Sequence, residues 1–280
     1  MTTSDGSFAG HGGVRIAWRR VVPDAAPRGV VIVSHGYAEH FGRYREWTEH
    51  LASRGLAAVA LDHRGHGTSE GPRGHVRDFD EFVADVRTLV AQVEGWWPST
   101  PRLLFGHSMG GLISFLYLVK HGDTVRAAAL SSPAFALPPQ GPRAQLALVG
   151  LLARIAPRIA FTTKLEPDAL ARDPEVGRAY VADPLVHRKA TAGFASAFIR
   201  AQERALADAP KVTTPLLILQ AEADRLVTPA GATAIAGRLR CEHVLEMLPG
   251  YYHELLNEPP AERAKVVARL DAWFDRWLAT

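Results

Sequence analysis

A serine hydroxyl attacks a carbonyl at neutral pH only when an imidazole can take its proton and a carboxylate can hold that imidazole in the right tautomer. Three residues of this 280-residue chain have the types and spacing for that task. Ser108 lies in Gly106-His107-Ser108-Met109-Gly110, between the apolar run Arg102–Phe105 and the helix-like run Gly111–Lys120. Strand, G-x-S-x-G, helix is the setting of a nucleophile elbow. The serine needs a positive φ there, and its neighbours two residues away must be small so that strand and helix can approach. The N–H of Met109 would then open the helix and point at a developing oxyanion. Asp224 follows the apolar run 216–220, and His253 follows the run 243–248. Taken singly, Asp224 is as well explained as a cap for a helix starting near Pro229, and His253 as a surface loop histidine. The chain order Ser108, Asp224, His253, each one loop beyond a strand end, is what joins them. Glu222 is the reserve acid, and Asp62 precedes the serine, the wrong order for such an arrangement.

The elements that would position these residues follow from periodicity. Gly29–Val33 and Leu56–Leu61 are continuous apolar runs of buried central strands, and 125–130, 216–220 and 243–248 continue the series. Val14–Trp18 alternates as a half-exposed strand does. Helices are expected over Tyr44–Ser53 and 229–238. Phe79, Phe82, Val83, Val86, Leu89, Val90 and Val93 form one helical stripe, and Val266, Val267, Leu270, Trp273, Phe274 and Trp277 form another in the closing helix. Strands alternating with helices imply a mostly parallel sheet. The rhythm breaks from Pro133 to about Ala209, where helices are expected at 143–156, 175–182 and 190–207 and no strong strand run appears. The expected organisation is therefore a core of 1–132 and 210–280, with 133–209 as a helical cap over the strand C-termini, where ligands bind in open α/β sheets. Ala144–Ala156 has little polar face, so that cap helix is either buried or presents a lip to lipid.

His35-Gly36-Tyr37 ends the first buried strand, and the Tyr37 N–H is placed to be a second oxyanion donor. The Gly-rich loop Asp62–Pro72 reads as a structural brace in which Asp62 and Arg64 are hydrogen-bonded. His63, His66 and His75 lack the spacing of a zinc site, so no metal and no cofactor is expected. His107 reads as a neighbour of the reacting groups rather than one of them. Net charge is +3 with both signs interspersed, which argues against nucleic acid as a partner. One cysteine, Cys241, excludes an intrachain disulfide. The N-terminus has no apolar leader and no run is long enough to span a bilayer, which reads as a cytoplasmic protein with room for peripheral membrane contact through the cap.

Several segments together resemble the α/β-hydrolases of the monoacylglycerol lipase and lysophospholipase type. His35-Gly36-Tyr37-Ala38-Glu39-His40 with Arg43-Tyr44 is similar to that family's HGxxEHxxRY segment, and Asp62–Gly71 to its D-x-R-G-H-G-x-S-x-G loop. The elbow Gly-His-Ser-Met-Gly-Gly, the cap segments Arg172–Val176 and Asp183–Val186, and Tyr252–Pro259 extend the likeness nearly end to end. The resemblance implies an α/β-hydrolase fold with Ser108 as nucleophile, Asp224 as acid, His253 as base, and the Tyr37 and Met109 N–H groups as the oxyanion hole. It also implies a cap that holds one acyl chain, with Glu39 and Arg43 near a polar pocket for the glycerol head. From residues alone, those two could equally be a surface ion pair at i, i+4. Two positions depart from the pattern. Ala221 stands where the family usually has Gly, and Tyr37 is large at a variable position. The expected activity is hydrolysis of monoacylglycerols through an acyl-enzyme. A lysophospholipase, general carboxylesterase or acyltransferase would use the same triad, and a non-catalytic ligand-binding role is the reading from another class.

Overall fold

The computed structural model describes residues 1–138, 150–163 and 165–279. Its centre is an eight-stranded sheet. The strands in chain order are β1 (Thr2–Ala9), β2 (Arg15–Val22), β3 (Gly29–Ser34), β4 (Leu56–Leu61), β5 (Arg102–His107), β6 (Ala127–Ser131), β9 (Leu216–Ala221) and β10 (His243–Leu248), with spatial order β1-β2-β4-β3-β5-β6-β9-β10. The six strands from β4 to β10 run parallel, while β1 and β2 are antiparallel to their neighbours. β3, β4 and β9 are buried at every residue, as strands covered on both faces must be. This is the α/β-hydrolase architecture expected from the sequence.

Helices α1 (Arg45–Ser53) and α7 (Pro260–Leu278) cover one face, burying Trp47, Leu51, Val266, Leu270 and Phe274. Helices α2 (Asp80–Trp96), α3 (Met109–His121) and α6 (Ala230–Ala236) cover the other. In the sheet order β4-β3-β5, the chain leaves β3 toward one edge and β5 lies toward the other. The loops after β3 and β5 therefore diverge, and a crevice opens at their strand C-termini. No helix among the described residues is long and apolar enough to cross a membrane.

Between β6 and β9 lie α4 (Pro174–Ala182), α5 (Ala192–Asp208) and two three-residue strands, β7 (Ala160–Thr162) and β8 (Lys189–Thr191), paired antiparallel. The expectation was of no strong buried-strand run in this stretch, and these two short strands are the only ones among its described residues. Three residues carry too little apolar periodicity to register, and β7 is exposed throughout. Helix α5 consequently starts at Ala192 rather than 190, where the Thr191 hydroxyl accepts the Phe194 N–H at 3.2 Å as an N-cap. Phe194, Ala197, Phe198, Ala201 and Ala205 of α5 join the hydrophobic cluster of α2 and α3. Half of the helix expected at 143–156 lies outside the described residues, and 150–155 are helical. β1 was not anticipated at all. Its side chains are mostly polar and exposed, and it is held by eight register positions against β2.

Candidate active site

Ser108 sits at the junction of β5 and α3 with φ 52° and ψ −119°, a region that side chains other than glycine rarely occupy. The strain is held from several sides. The Ser108 N–H donates to the Ser131 carbonyl at 3.0 Å, and its own carbonyl accepts from Leu112 at 3.1 Å and Ala134 at 2.9 Å. The flanking glycines are required sterically. A Cβ on Gly106 would lie 2.5 Å from the Gly110 carbonyl oxygen, and one on Gly110 would lie 2.1 Å from that of Ser34. Met109 opens α3, so its N–H has no acceptor within the helix.

His253, reached through the loop after β10, is buried, and its Nδ1 is 2.7 Å from Asp224 Oδ2. The other oxygen, Asp224 Oδ1, accepts the N–H groups of Leu226 at 2.8 Å and Val227 at 3.0 Å, so Asp224 closes a turn rather than capping α6. Burial raises the carboxyl's proton affinity, but the His253 charge and these hydrogen bonds outweigh it and hold Asp224 below the usual carboxylate range. For His253, burial opposes the imidazolium, and the Asp224 carboxylate outweighs burial and raises its pKa above the ordinary value. Nδ1–H donating to Asp224 leaves Nε2 as the unprotonated nitrogen. The His107 ring lies 4.8 Å from that of His253, donates from Nδ1 to the Ser131 carbonyl 3.0 Å away, and is pushed by burial to a pKa of about 4. It is neutral at pH 7. Ala221 does not disturb the acid loop. The Glu222 N–H reaches the Leu248 carbonyl at 3.0 Å, and the Ala223 N–H reaches that of Tyr251 at 3.1 Å.

The loop after β3 reaches the same place. A Cβ built on Gly36 would stand 3.3 Å from the Ser108 Cβ. His35, whose role was not legible in the sequence, orders this loop. Its Nε2 accepts the His63 N–H at 2.9 Å, so its Nδ1 carries the proton and donates to the Gly36 carbonyl at 2.7 Å. Burial lowers the His35 pKa and keeps this tautomer neutral. In a trans peptide the N–H points opposite to the C=O, so His35 fixes the direction of the Tyr37 N–H. The preceding peptide is held by Glu39, whose Oε1 accepts the Gly36 N–H at 2.5 Å and the Tyr44 hydroxyl at 2.6 Å.

Glu39 and Arg43 are not a surface pair. Glu39 is buried and the Arg43 side chain is only 11% exposed, and Arg43 Nη1 donates to Glu39 at 2.8 Å and to Glu254 at 2.6 Å, while Nη2 donates to the second Glu254 oxygen at 2.9 Å. Burial raises the Glu39 carboxyl, and the Arg43 charge outweighs it and holds the group lowered. Glu254 follows the histidine directly, and its role becomes visible only when the fold brings it to Arg43. The guanidinium also lies 5.0 Å from the ring of Tyr180 on α4, whose buried hydroxyl has no hydrogen-bond partner among the described residues. A cleft of about 840 Å³ opens beyond this brace between α1 and α7, lined by Glu39, Arg43, His107 and Glu254. Asp62 and Arg64 are bonded as expected: Asp62 holds the N–H groups of Phe41 and Thr68, and Arg64 is paired with Asp85 and Glu81.

Residues 25–260 match the hydrolase family described as "Serine aminopeptidase, S33". The chain is 43% identical over 275 residues to a monoacylglycerol lipase of Mycolicibacterium smegmatis, covering 98% of this chain and 97% of that protein. The chain belongs to the monoacylglycerol lipase-type α/β-hydrolases. Within that family it is 33% identical to the mouse monoglyceride lipase over 260 residues, covering 92% of this chain and 86% of that one. The crystal structure of a Paleococcus ferrophilus monoacylglycerol lipase superposes with a TM-score of 0.83 at 28% identity, over 100% of this chain and 99% of that chain. The monoacylglycerol lipase-type fold accounts for the insertion between β6 and β9 as well as for the sheet, since the match runs through both.

Proposed function

We propose that this protein is a cofactor-independent serine esterase that hydrolyses monoacylglycerols to fatty acid and glycerol. The observation that carries the chemistry is the Asp224–His253 pair at 2.7 Å, placed beside an elbow that forces Ser108 into a positive φ. His253 Nε2 takes the Ser108 proton as Oγ attacks the ester carbonyl. The oxyanion is held by the N–H groups of Tyr37 and Met109, and losing one such donor typically lowers the rate by about 10²–10³. The imidazolium, stabilised by Asp224, protonates the departing glycerol oxygen. A water activated by the regenerated base then releases the fatty acid.

The near full-length likeness to monoacylglycerol lipases supports a single-chain lipid ester as substrate. Residues 133–209 form the cap in this reading, and its outer side supports contact with lipid. Leu151, Ile155, Ile159 and Phe161 are all exposed, with Ile155 at 70%. The glycerol head belongs on the polar side, against the wall made by Glu39 and Arg43. Those two are engaged with each other and with Glu254, and the Tyr180 hydroxyl beside them has no hydrogen-bond partner among the described residues.

A substrate panel tests this reading: monoacylglycerols of graded chain length, di- and triacylglycerols, lysophosphatidylcholine and an amino-acid p-nitroanilide. Monoacylglycerols are expected to be turned over fastest, and Ser108→Ala is expected to fold normally with a loss on the order of 10⁴ or more. Faster hydrolysis of lysophosphatidylcholine or the anilide would contradict the substrate assignment, and retained turnover by Ser108→Ala would contradict the chemistry.

A further inference from the structure

Tyr37 does more than supply a backbone N–H. Its ring stacks on Phe194 of α5, with centroids 5.2 Å apart and planes 30° apart, and its hydroxyl donates to the Lys189 carbonyl of β8 at 2.7 Å. Burial pushes the phenol pKa up to about 12, so the hydroxyl stays protonated and remains a donor. The next residue, Ala38, has a positive φ of 65°, and its carbonyl accepts the His187 N–H at 3.2 Å. The His187 ring meets the Tyr37 ring edge-on at 5.6 Å. The short segment His187–Phe194 therefore contacts the oxyanion loop through a side-chain hydroxyl, a backbone carbonyl and two rings.

We infer that the cap segment His187–Phe194 is a clamp that sets the oxyanion hole, with the Tyr37 hydroxyl as its peg. The argument rests on the reading of the Tyr37 N–H as an oxyanion donor. The peptide carrying that N–H is fixed from the core side by His35 at the Gly36 carbonyl. From the other side, the hydrogen bonds that the described residues make to the Tyr37 hydroxyl and the Ala38 carbonyl both come from the cap, while the core contributes the edge of the His66 ring at 5.9 Å. A donor must sit within a few tenths of an ångström of its acceptor to work at full strength, because hydrogen bonds weaken steeply with distance and angle. A hydroxyl that fixes the loop thus acts on the transition state, where the carbonyl oxygen carries charge, and little on the ground state. Tyr37 is in this sense a positioning residue through its side chain. The small residue that a bare Gly turn would accept could not make the contact, because no short side chain at 37 reaches β8.

The test is Tyr37→Phe, which removes one oxygen and keeps the ring stack. Four quantities are compared with the wild type: kcat and KM on monoolein, the inhibition constant of a long-chain trifluoromethyl ketone, and the dissociation constant of a monoalkyl glycerol ether. The ketone forms a tetrahedral adduct that needs the oxyanion hole, and the ether has no carbonyl. The expected result is a kcat lower by roughly 3- to 10-fold, the range of one ordinary hydrogen bond. KM and ether binding should stay within about twofold, and ketone affinity should fall by the same factor as kcat/KM. A wild-type kcat in Tyr37→Phe would overturn the clamp. So would ether and ketone affinities that fall together, which would make the hydroxyl a general packing or binding group. A wild-type enzyme inert to the ketone would instead contradict the serine mechanism itself and leave those two outcomes to be read separately.

Discussion

Ser108, Asp224 and His253 differ in how much of their chemistry comes from their type and how much from their surroundings. Asp224 is an ordinary carboxylate whose two oxygens are divided, one on two backbone N–H groups and one on His253. That division orients the imidazole and raises its pKa, and the consequence is measurable. The general base must be neutral, so kcat/KM should rise with pH through the His253 pKa, with its midpoint above the ordinary imidazole value of about 6.5. Asp224→Asn should lower kcat by about 10³–10⁴, through loss of the correct tautomer, and should move the acid limb to lower pH because the charge that favours the imidazolium is gone. A pH–rate series on a soluble p-nitrophenyl ester for both proteins would show this, and an unmoved limb would contradict the assignment of His253. The proposed triad residues could be picked out as candidates in the sequence because each stands one loop past a strand-like run. His35 and Glu254 could not, because their partners Gly36, His63 and Arg43 are joined to them by hydrogen bonds that no periodicity records.

At the scale of elements, the elbow works because β5 and α3 are pressed together. Helix α3 is apolar on almost every face and buried from Met109 to Leu118, so it can approach the sheet closely only where glycine permits. Gly110→Ala would put a methyl group into the Ser34 and His35 carbonyl oxygens, which lie at the end of β3. The expected cost is about 2–4 kcal/mol in thermal or urea unfolding, with activity falling as the β3 loop is displaced. A variant as stable as the wild type would show that the elbow has slack that the contacts deny. The buried strands were legible because a strand covered on both faces must be apolar throughout. β1 and β7 were not, because they are edge or surface pairings held by backbone bonds and their side chains mostly face water, and β8, though buried at Ala190 and Thr191, is only three residues long.

Over the whole molecule, the sheet carries the proposed reacting groups at its C-terminal edge, and the segment between β6 and β9 is proposed to cover them. That segment has two sides with different duties. Its inner side, through α5 and β8, packs on the core and accepts the Tyr37 hydroxyl at the Lys189 carbonyl. Its outer side leaves Leu151, Ile155, Ile159 and Phe161 to solvent, an arrangement suited to resting on lipid without crossing it. Burying one such side chain contributes about 1.5–3 kcal/mol. The double variant Ile155→Glu/Phe161→Glu should therefore weaken binding to phosphatidylcholine vesicles by at least about tenfold and slow monoolein hydrolysis in those vesicles, with turnover of a soluble short-chain ester unchanged. Equal losses on both substrates would assign these residues to the acyl pocket instead. The fold class was readable because the alternation of runs spans the whole chain, whereas the cap's grip on Tyr37 depends on contacts between residues about 150 positions apart.

The central claim is that one serine carries the reaction. Treating the protein with a fluorophosphonate and locating the adduct by peptide mass spectrometry tests it most directly. A single adduct on Ser108, blocked by prior addition of monoolein and absent from His253→Ala, is the predicted result. An adduct on another residue, or hydrolysis of monoolein that continues after Ser108 is fully modified, would contradict the account.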